Sequence, residues 1–405
     1  MVKSKVFLKP DEITNILTLR YDPFLKSKLP ILTWKNFTGN NAKPSLDDIQ
    51  NIIQNSLRNK IGRSNQKEIA IGLSGGVDSI LTLAILKKTF PEIKINAISI
   101  KFADSMDETI SAKKITQKLD VNHTIIYLEN YLSELPKAID IIKLPFWDLH
   151  FYHLAKNAKK NSNYLITGDG GDELFGGYTF RYQKFLSLVN EKSSPLERVK
   201  SYLECHQRDW VPDQEKFFNE ALHFSWHSAY KRLLQYFDNP LKPIQQVFLA
   251  DYNGKLLHNW SPLFTKITNH FRIHFITPLL SKELIKYAIE IPPHLKYDTK
   301  KNVGKLLLRR LLDNYIDNNL IKETKQGFTV DTLNLWKSYG KKLCKEYLTD
   351  AHIVKDNWIN QNWINHYIDK KLNVRYVNKF LGLLAFEIWY RLFITKEMRP
   401  NTILS

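Results

Sequence analysis

The chain has 405 residues, room for two or three ordinary domains. Hydrophobic residues make up 43% and charged residues 25%, a globular balance that excludes a disordered, collagen-like or disulfide-framework protein. The net charge of +18 rests on 46 lysines and only 13 arginines, which favours a solvated lysine-rich surface over a phosphate- and guanine-reading one.

Residues 1–45 are polar and punctuated by Pro10, Pro30 and Pro44, and read as an N-terminal extension. The opening Met1-Val-Lys-Ser-Lys lacks the apolar core of a signal peptide. Ile49, Ile52, Ile53, Leu57 and Ile61 are spaced for a helix over 47–61. Strands are predicted at 68–73, 94–100, 123–128 and 164–167, alternating with helices at 80–90 (amphipathic), 108–119 and 149–160. That alternation implies a parallel sheet covered on both faces, with ligands at the carboxyl ends of the strands. Beyond about residue 180 the strand signal fades into aromatic-rich helical spacing broken at Pro195, Pro212, Pro240 and Pro292-Pro293. The expected organisation is an extension over 1–45, an α/β domain over 46–190 and an all-helical part over 191–405.

Cys205 and Cys344 provide neither a zinc cluster nor a Cys-x-x-Cys pair. The longest apolar stretch, 380–394, is interrupted by Glu387 and Arg391, so no membrane span is expected. Together these suggest a cytoplasmic setting. The scattered histidines, among them His150, His153, His206, His258 and His270, read as structural or surface residues.

Two glycine motifs follow predicted strands. In Ser74-Gly75-Gly76-Val77-Asp78-Ser79, adjacent glycines admit a ligand close to the backbone, and the loop and helix N–H groups form an anion cradle. Asp78 would repel a phosphate unless a cation such as Mg²⁺ lay between them. The Gly-Lys-Ser/Thr ending of a Walker-A loop is absent. In the second motif, Gly168-Asp169-Gly170-Gly171-Asp172-Glu173 through Tyr178, five glycines in eleven residues hold three carboxylates, a set suited to a divalent cation. The alternating register of an EF-hand calcium loop is not met.

Together these motifs resemble the synthetase domain of asparagine synthetase B and its relatives, which contains a pyrophosphate-loop (adenine-nucleotide α-hydrolase-like) α/β domain. Further stretches agree: 102–108 (Phe102-Ala-Asp104-Ser-Met-Asp107-Glu108), Lys305-Leu-Leu-Leu-Arg309, Lys325-Gln326-Gly327-Phe328 and Leu383-Leu384-Ala-Phe-Glu387-Ile-Trp389-Tyr-Arg391. The resemblance runs from about 46 to 395. It implies that Leu73, Ile100, Thr167 and Gly168 hold the adenosine of ATP, and that Ser74, Gly75, Gly76 and Ser79 hold its pyrophosphate. Asp78 and Asp172 would bind Mg²⁺, Asp169 would act in making or breaking an acyl-adenylate, Lys325 would stabilise transition-state charge, and Lys305 would support the phosphates. The implied reaction joins a carboxylate, foremost the β-carboxylate of aspartate, to ammonia. Two anions meet in the first step, so positive charge must be aimed at the transition state.

The pattern departs from that family in three places. The family's glutaminase domain, which opens on a cysteine, is not expected here, so ammonia or a separate glutaminase subunit would supply nitrogen; a homodimer is a further expectation. Around Pro278, the family's charged block is replaced by Thr265-Lys266, His274-Phe275-Ile276 and Ser281, and its Arg-Lys before Lys325 by Glu323-Thr324. Lost charges change which substrate ends can be paired, leaving the acceptor open. The alternatives are an adenylating cyclase or amidotransferase acting on another acid, a tRNA-modifying ATP pyrophosphatase, and a non-catalytic binding subunit.

Overall fold

The computed structural model describes residues 8–37, 43–62, 67–103, 105–107, 109–316 and 330–405. Five strands form one parallel sheet: β1 (Glu68–Gly72), β2 (Lys94–Phe102), β3 (Asn122–Leu128), β4 (Tyr164–Ile166) and β5 (His274–Ile276). Their order is β3-β2-β1-β4-β5. Strand β1 pairs with β2 on one side (Ile71↔Ala97) and with β4 on the other (Ile71↔Ile166). From β1 the chain winds outward through β2 to β3, and from β4 it winds the opposite way to β5. The crevice between β1 and β4 is therefore the topological switch point, where an open parallel sheet binds its ligands. Each glycine motif leaves the carboxyl end of one of these two strands.

The four predicted strands are present, and β5 is an addition. Residues 274–276 fall in the stretch expected to be all-helical, yet they pair with β4 through Ile166↔Ile276 and supply the outer neighbour of the second motif. A short antiparallel hairpin, β6 (Tyr297–Asp298) with β7 (Val303–Gly304), is a second exception in that half. The helix after β1, Val77–Thr89, is not amphipathic: every residue from Val77 to Leu86 is buried, because helices Leu46–Ile61 and Leu306–Leu312 cover its outer face. The stretch read as an extension also differs. Helix Pro10–Leu19 starts with proline at its first position and acids in its first turn, and it buries Ile13, Ile16, Leu17 and Leu19.

Both apolar clusters draw on residues from either side of position 190. One joins Ile98 and Leu165 to Phe386 and Trp389; the other joins Ile71 and Ile80 to Leu308 and Leu311. The long helix Val374–Phe393 runs through the first cluster, its N-terminal N–H groups accepted by the Asn373 side chain. Its Glu387 is fully buried and accepts hydrogen bonds from the N–H groups of His352 and Ile353, both 3.1 Å, and from Arg391 Nε at 2.7 Å. In this structure Glu387 and Arg391 fasten one helix start to another. No helix among the described residues is long and apolar enough to cross a membrane.

Candidate functional site

After β1 the chain turns through Ser74–Gly76 into the Val77–Thr89 helix. Ser79 ties this loop to the helix: its Oγ donates to the carbonyls of Ser74 (2.8 Å) and Gly76 (3.0 Å), and Ser74 N–H donates back to Ser79 Oγ at 3.2 Å. Leu73, fully buried, is fixed by its N–H to Ile98 O (2.8 Å) and by Ser99 Oγ donating to its carbonyl (2.7 Å). Ile100 lies buried on the neighbouring strand.

The second motif lies against the first. Thr167 N–H pairs with Ile276 O at 3.1 Å, and its hydroxyl donates to Asp169 Oδ2 at 2.5 Å, orienting that carboxylate. The glycines here are required by close approach. A Cβ at Gly171 would stand 2.4 Å from the Asp78 carboxylate, and one at Gly177 would stand 1.9 Å from Asp172 Oδ1 and 2.2 Å from Lys305 Cε.

Lys305 joins the two loops. Its Nζ lies 2.7 Å from Asp172 Oδ1 and pairs with Asp78 Oδ2, and the residue is 3% exposed. The β6–β7 hairpin delivers it in a left-handed conformation, φ 59°, at the start of helix Leu306–Leu312. That conformation costs an L-residue about 1–2 kcal/mol. Lys305 N–H to Phe175 O (2.9 Å) and Arg309 N–H to Lys305 O (2.9 Å) hold it in place. One buried ammonium thus ties Asp78 to Asp172, about 90 residues apart in sequence. Lys325, with the stretch 317–329, lies outside the described residues, as do Asp104 and Glu108.

A second polar layer, which the sequence reading did not assign, lies behind the motif. Glu173, 6% exposed, accepts from Tyr178 OH at 2.6 Å. Burial, and after it the neighbouring Asp172 charge, push its carboxyl up to about 7. Arg181 stacks on the Tyr178 ring, 3.6 Å from its centroid, and donates to Asp251 Oδ1 (2.8 Å) and His206 Nε2 (2.6 Å). Burial and the Arg181 charge hold His206 down at about 3, so its neutral ring accepts at Nε2 and donates from Nδ1 to Tyr202 O (2.8 Å). Glu173, Arg181, His206 and Asp251 line one cavity with Asp209 and Lys255, an ion pair at 2.6 Å. Burial pushes Lys255 down to about 8 in spite of Asp209. Of these residues Glu173 and Tyr178 belong to the second motif; the others recur at no spacing that sequence could reveal.

Two glycine loops thus meet at the switch point with paired carboxylates and a buried lysine, the place where an open parallel sheet binds its ligands. The family profile described as Asparagine synthase matches residues 49–391, and the chain belongs to that family. It is 26% identical over 420 residues to asparagine synthetase [glutamine-hydrolyzing] 1 of Bacillus subtilis, an alignment covering 92% of this chain and 64% of that protein. The chain therefore spans less than two thirds of that relative's length. It is also 30% identical over 138 residues to the NH(3)-dependent NAD(+) synthetase of Carboxydothermus hydrogenoformans, covering 31% of this chain and 55% of that protein.

Proposed function

We propose that the chain is an ATP-dependent amide ligase that activates a carboxylate as its acyl-adenylate and transfers it to ammonia. The observation that carries this reading is the meeting of both glycine loops at the β1–β4 crevice, tied by Lys305. In the first step a carboxylate oxygen of the acceptor bonds to the α-phosphorus of ATP. The bond from that phosphorus to the bridging oxygen breaks, and pyrophosphate leaves. In the second step ammonia nitrogen bonds to the acyl carbon, the carbon–oxygen bond to AMP breaks, and a proton passes from nitrogen to base.

Each residue has a part in this scheme. Leu73, Ile100, Thr167 and Gly168 border the adenosine, and Ser74 to Ser79 present N–H and hydroxyl donors to the departing pyrophosphate. Asp169 lies beside the acyl-adenylate, held by Thr167, and is the group we assign to proton handling there. Lys305 meets phosphate charge, and Lys325 the charge on the pentavalent phosphorus and tetrahedral carbon.

The donor set of Asp78 and Asp172 fits magnesium: two hard carboxylates converge on one buried point, the usual protein share of a site completed by phosphate oxygens and water. A bound ion there supplies positive charge against the phosphates during adenylation. The resemblance favours the β-carboxylate of aspartate as acceptor, giving asparagine. Likeness to an NH(3)-dependent synthetase supports free ammonia as the nitrogen source, with a separate glutaminase as an alternative supply.

Carboxylate-dependent exchange of labelled pyrophosphate into ATP tests the adenylation. Asp78→Asn and Asp172→Asn should each lower exchange at least about a hundredfold while leaving the circular dichroism spectrum unchanged. Exchange at the wild-type rate in both variants would remove the metal assignment. No exchange in the wild type with any acid would remove the ligase reading.

A further inference from the structure

The five-stranded sheet has two edge strands, β3 and β5. Strand β5 is three residues long, whereas β3 runs for seven, Asn122–Leu128. The phase of the β2–β3 ladder is fixed by Ala103 N–H, which donates to Leu128 O at 3.0 Å. Along a strand the N–H and C=O of alternate residues point to the same side, so Asn122, Thr124, Ile126 and Leu128 turn theirs toward β2. His123, Ile125 and Tyr127 turn theirs outward, and these six groups have no hydrogen-bond partner among the described residues.

Natural sheet edges are guarded by charge, proline or a bulge. This one has none of them. No residue of β3 is Asp, Glu, Lys, Arg or Pro, in a chain of which 25% is charged. Its ladder with β2 is unbroken from Asn96↔Asn122 to Phe102↔Leu128. Burial, and after it the Lys113 charge, push His123 below its ordinary value, so it too is neutral at pH 7. Ile125 and Tyr127 stand 44% and 59% exposed on one face of the strand. Lys101, the register partner of Tyr127, pairs with Asp107 at 2.7 Å, and on either side of that aspartate in sequence the exposed Met106 and Ile110 extend the apolar surface.

Symmetry selects the occupant. A two-fold axis normal to the sheet through Ile125 brings β3 of a second copy alongside, antiparallel. Ile125 then faces the second copy's Ile125, and each His123 faces a Tyr127, every pair exchanging two hydrogen bonds. All six outward groups are met. An axis through Thr124 or Ile126 would meet only four of the six on each copy. Pairing β3 with the β5 of another copy would match three residues at most, and such a contact leaves a free edge on each copy. On the exposed face, the axis through Ile125 lays the two isoleucines together and sets each Tyr127 ring beside a neutral imidazole, cross-strand pairs that stabilise a sheet.

We propose that β3 is the interface of a two-fold symmetric homodimer, in which two five-stranded sheets join into one of ten strands. The edge lies outside the β1–β4 crevice, so the dimer stands whatever acid or reaction that crevice serves.

Sedimentation velocity of the full chain over about 1–100 μM tests the assembly. It should show a species of twice 47.6 kDa, with a dimer Kd of order 10 μM or tighter. Ile125→Lys sets like charges face to face on the axis and should weaken the dimer at least about tenfold. Its circular dichroism and melting temperature should match wild type, because the side chain is half in solvent. Cross-linking tests the register. Facing residues of a hydrogen-bonded antiparallel pair have Cα atoms about 5.5 Å apart, within disulfide reach, and both native cysteines are buried. Ile125→Cys should therefore give a covalent dimer with oxidised glutathione, two thiols being oxidised to one disulfide as one oxidised glutathione is reduced. Asn122→Cys, three residues from the axis and so about 20 Å from its counterpart, should not. A monomer at about 100 μM, a dimer that Ile125→Lys leaves intact, or equal cross-linking by the two cysteine variants would overturn the proposal.

Discussion

Lys305→Met keeps the length of the side chain and removes its charge. In the native site the Lys305 side chain is 4% exposed and pairs with two carboxylates, Asp172 at 2.7 Å and Asp78 closer still. Taking one member from a buried ion group leaves its partners uncompensated, at a cost of about 3–5 kcal/mol. Unfolding entropy of ~2.1 cal/mol/K per residue gives ~0.85 kcal/mol/K for 405 residues, so that cost lowers Tm by ~4–6 °C. The left-handed backbone adds little to the difference, since lysine bears the same strain. Magnesium should restore part of the loss. With Asp78 and Asp172 freed, an ion at a hundred times its Kd returns ~2.7 kcal/mol, which at the same entropy is ~3 °C. The wild type should gain less, because Lys305 competes for the same oxygens. Scanning calorimetry of both proteins, in EDTA and in Mg²⁺, reads all four values. A variant melting within ~1 °C of wild type in EDTA would refute the ion group as a stabilising unit. A variant indifferent to Mg²⁺ would refute the metal reading of the two aspartates.

Gly75→Ala and Gly177→Ala should part ways. A Cβ at Gly75 meets only Ser111 Cβ at 3.9 Å, so that variant should melt like wild type yet bind ATP about tenfold or more weakly in equilibrium dialysis, its loop obstructed. Gly177→Ala drives a methyl into Asp172 and Lys305, and should lower both Tm and activity. Glu173 sets a pH dependence. Its folded pKa of about 7 lies above the ordinary 4.5, so its contribution is full below pH 4.5 and lost as pH rises through 7. Urea midpoints should show wild type losing up to ~3 kcal/mol relative to Glu173→Gln between about pH 4.5 and 7, and parallel curves would contradict the burial argument. Glu387→Ala should cost ~2–4 kcal/mol in urea unfolding while sparing turnover per folded molecule, since it removes partners of His352, Ile353 and Arg391.

The α/β core was legible because β1 to β4 are short segments rich in Ile, Leu and Tyr, bounded by turns and separated by helix-length segments. The loops were legible because glycines and acids sit at strand ends, where a parallel sheet binds ligands. Strand β5 was not: three residues, His274 to Ile276, carry no periodicity, and only pairing with β4 makes them a strand. The N-terminal helix did carry signals, Pro10 at its first position, Asp11 and Glu12 after it, then Ile13, Ile16 and Leu17, which the flanking prolines obscured. Lys305 was picked out by resemblance, yet its contact with Asp78, 227 residues away, is a fact of the fold alone. The same holds for Arg181 and Asp251, brought together from 70 residues apart.

The central claim is carboxylate adenylation followed by ammonia transfer. The most direct measurement quantifies AMP, pyrophosphate and amide together, with Mg-ATP, ammonium and a panel of acids that includes aspartate. The account predicts AMP and pyrophosphate in equal amounts, appearing only when a suitable acid is present, with one amide per AMP. Formation of ADP and phosphate instead, or release of AMP without any acid, would contradict it.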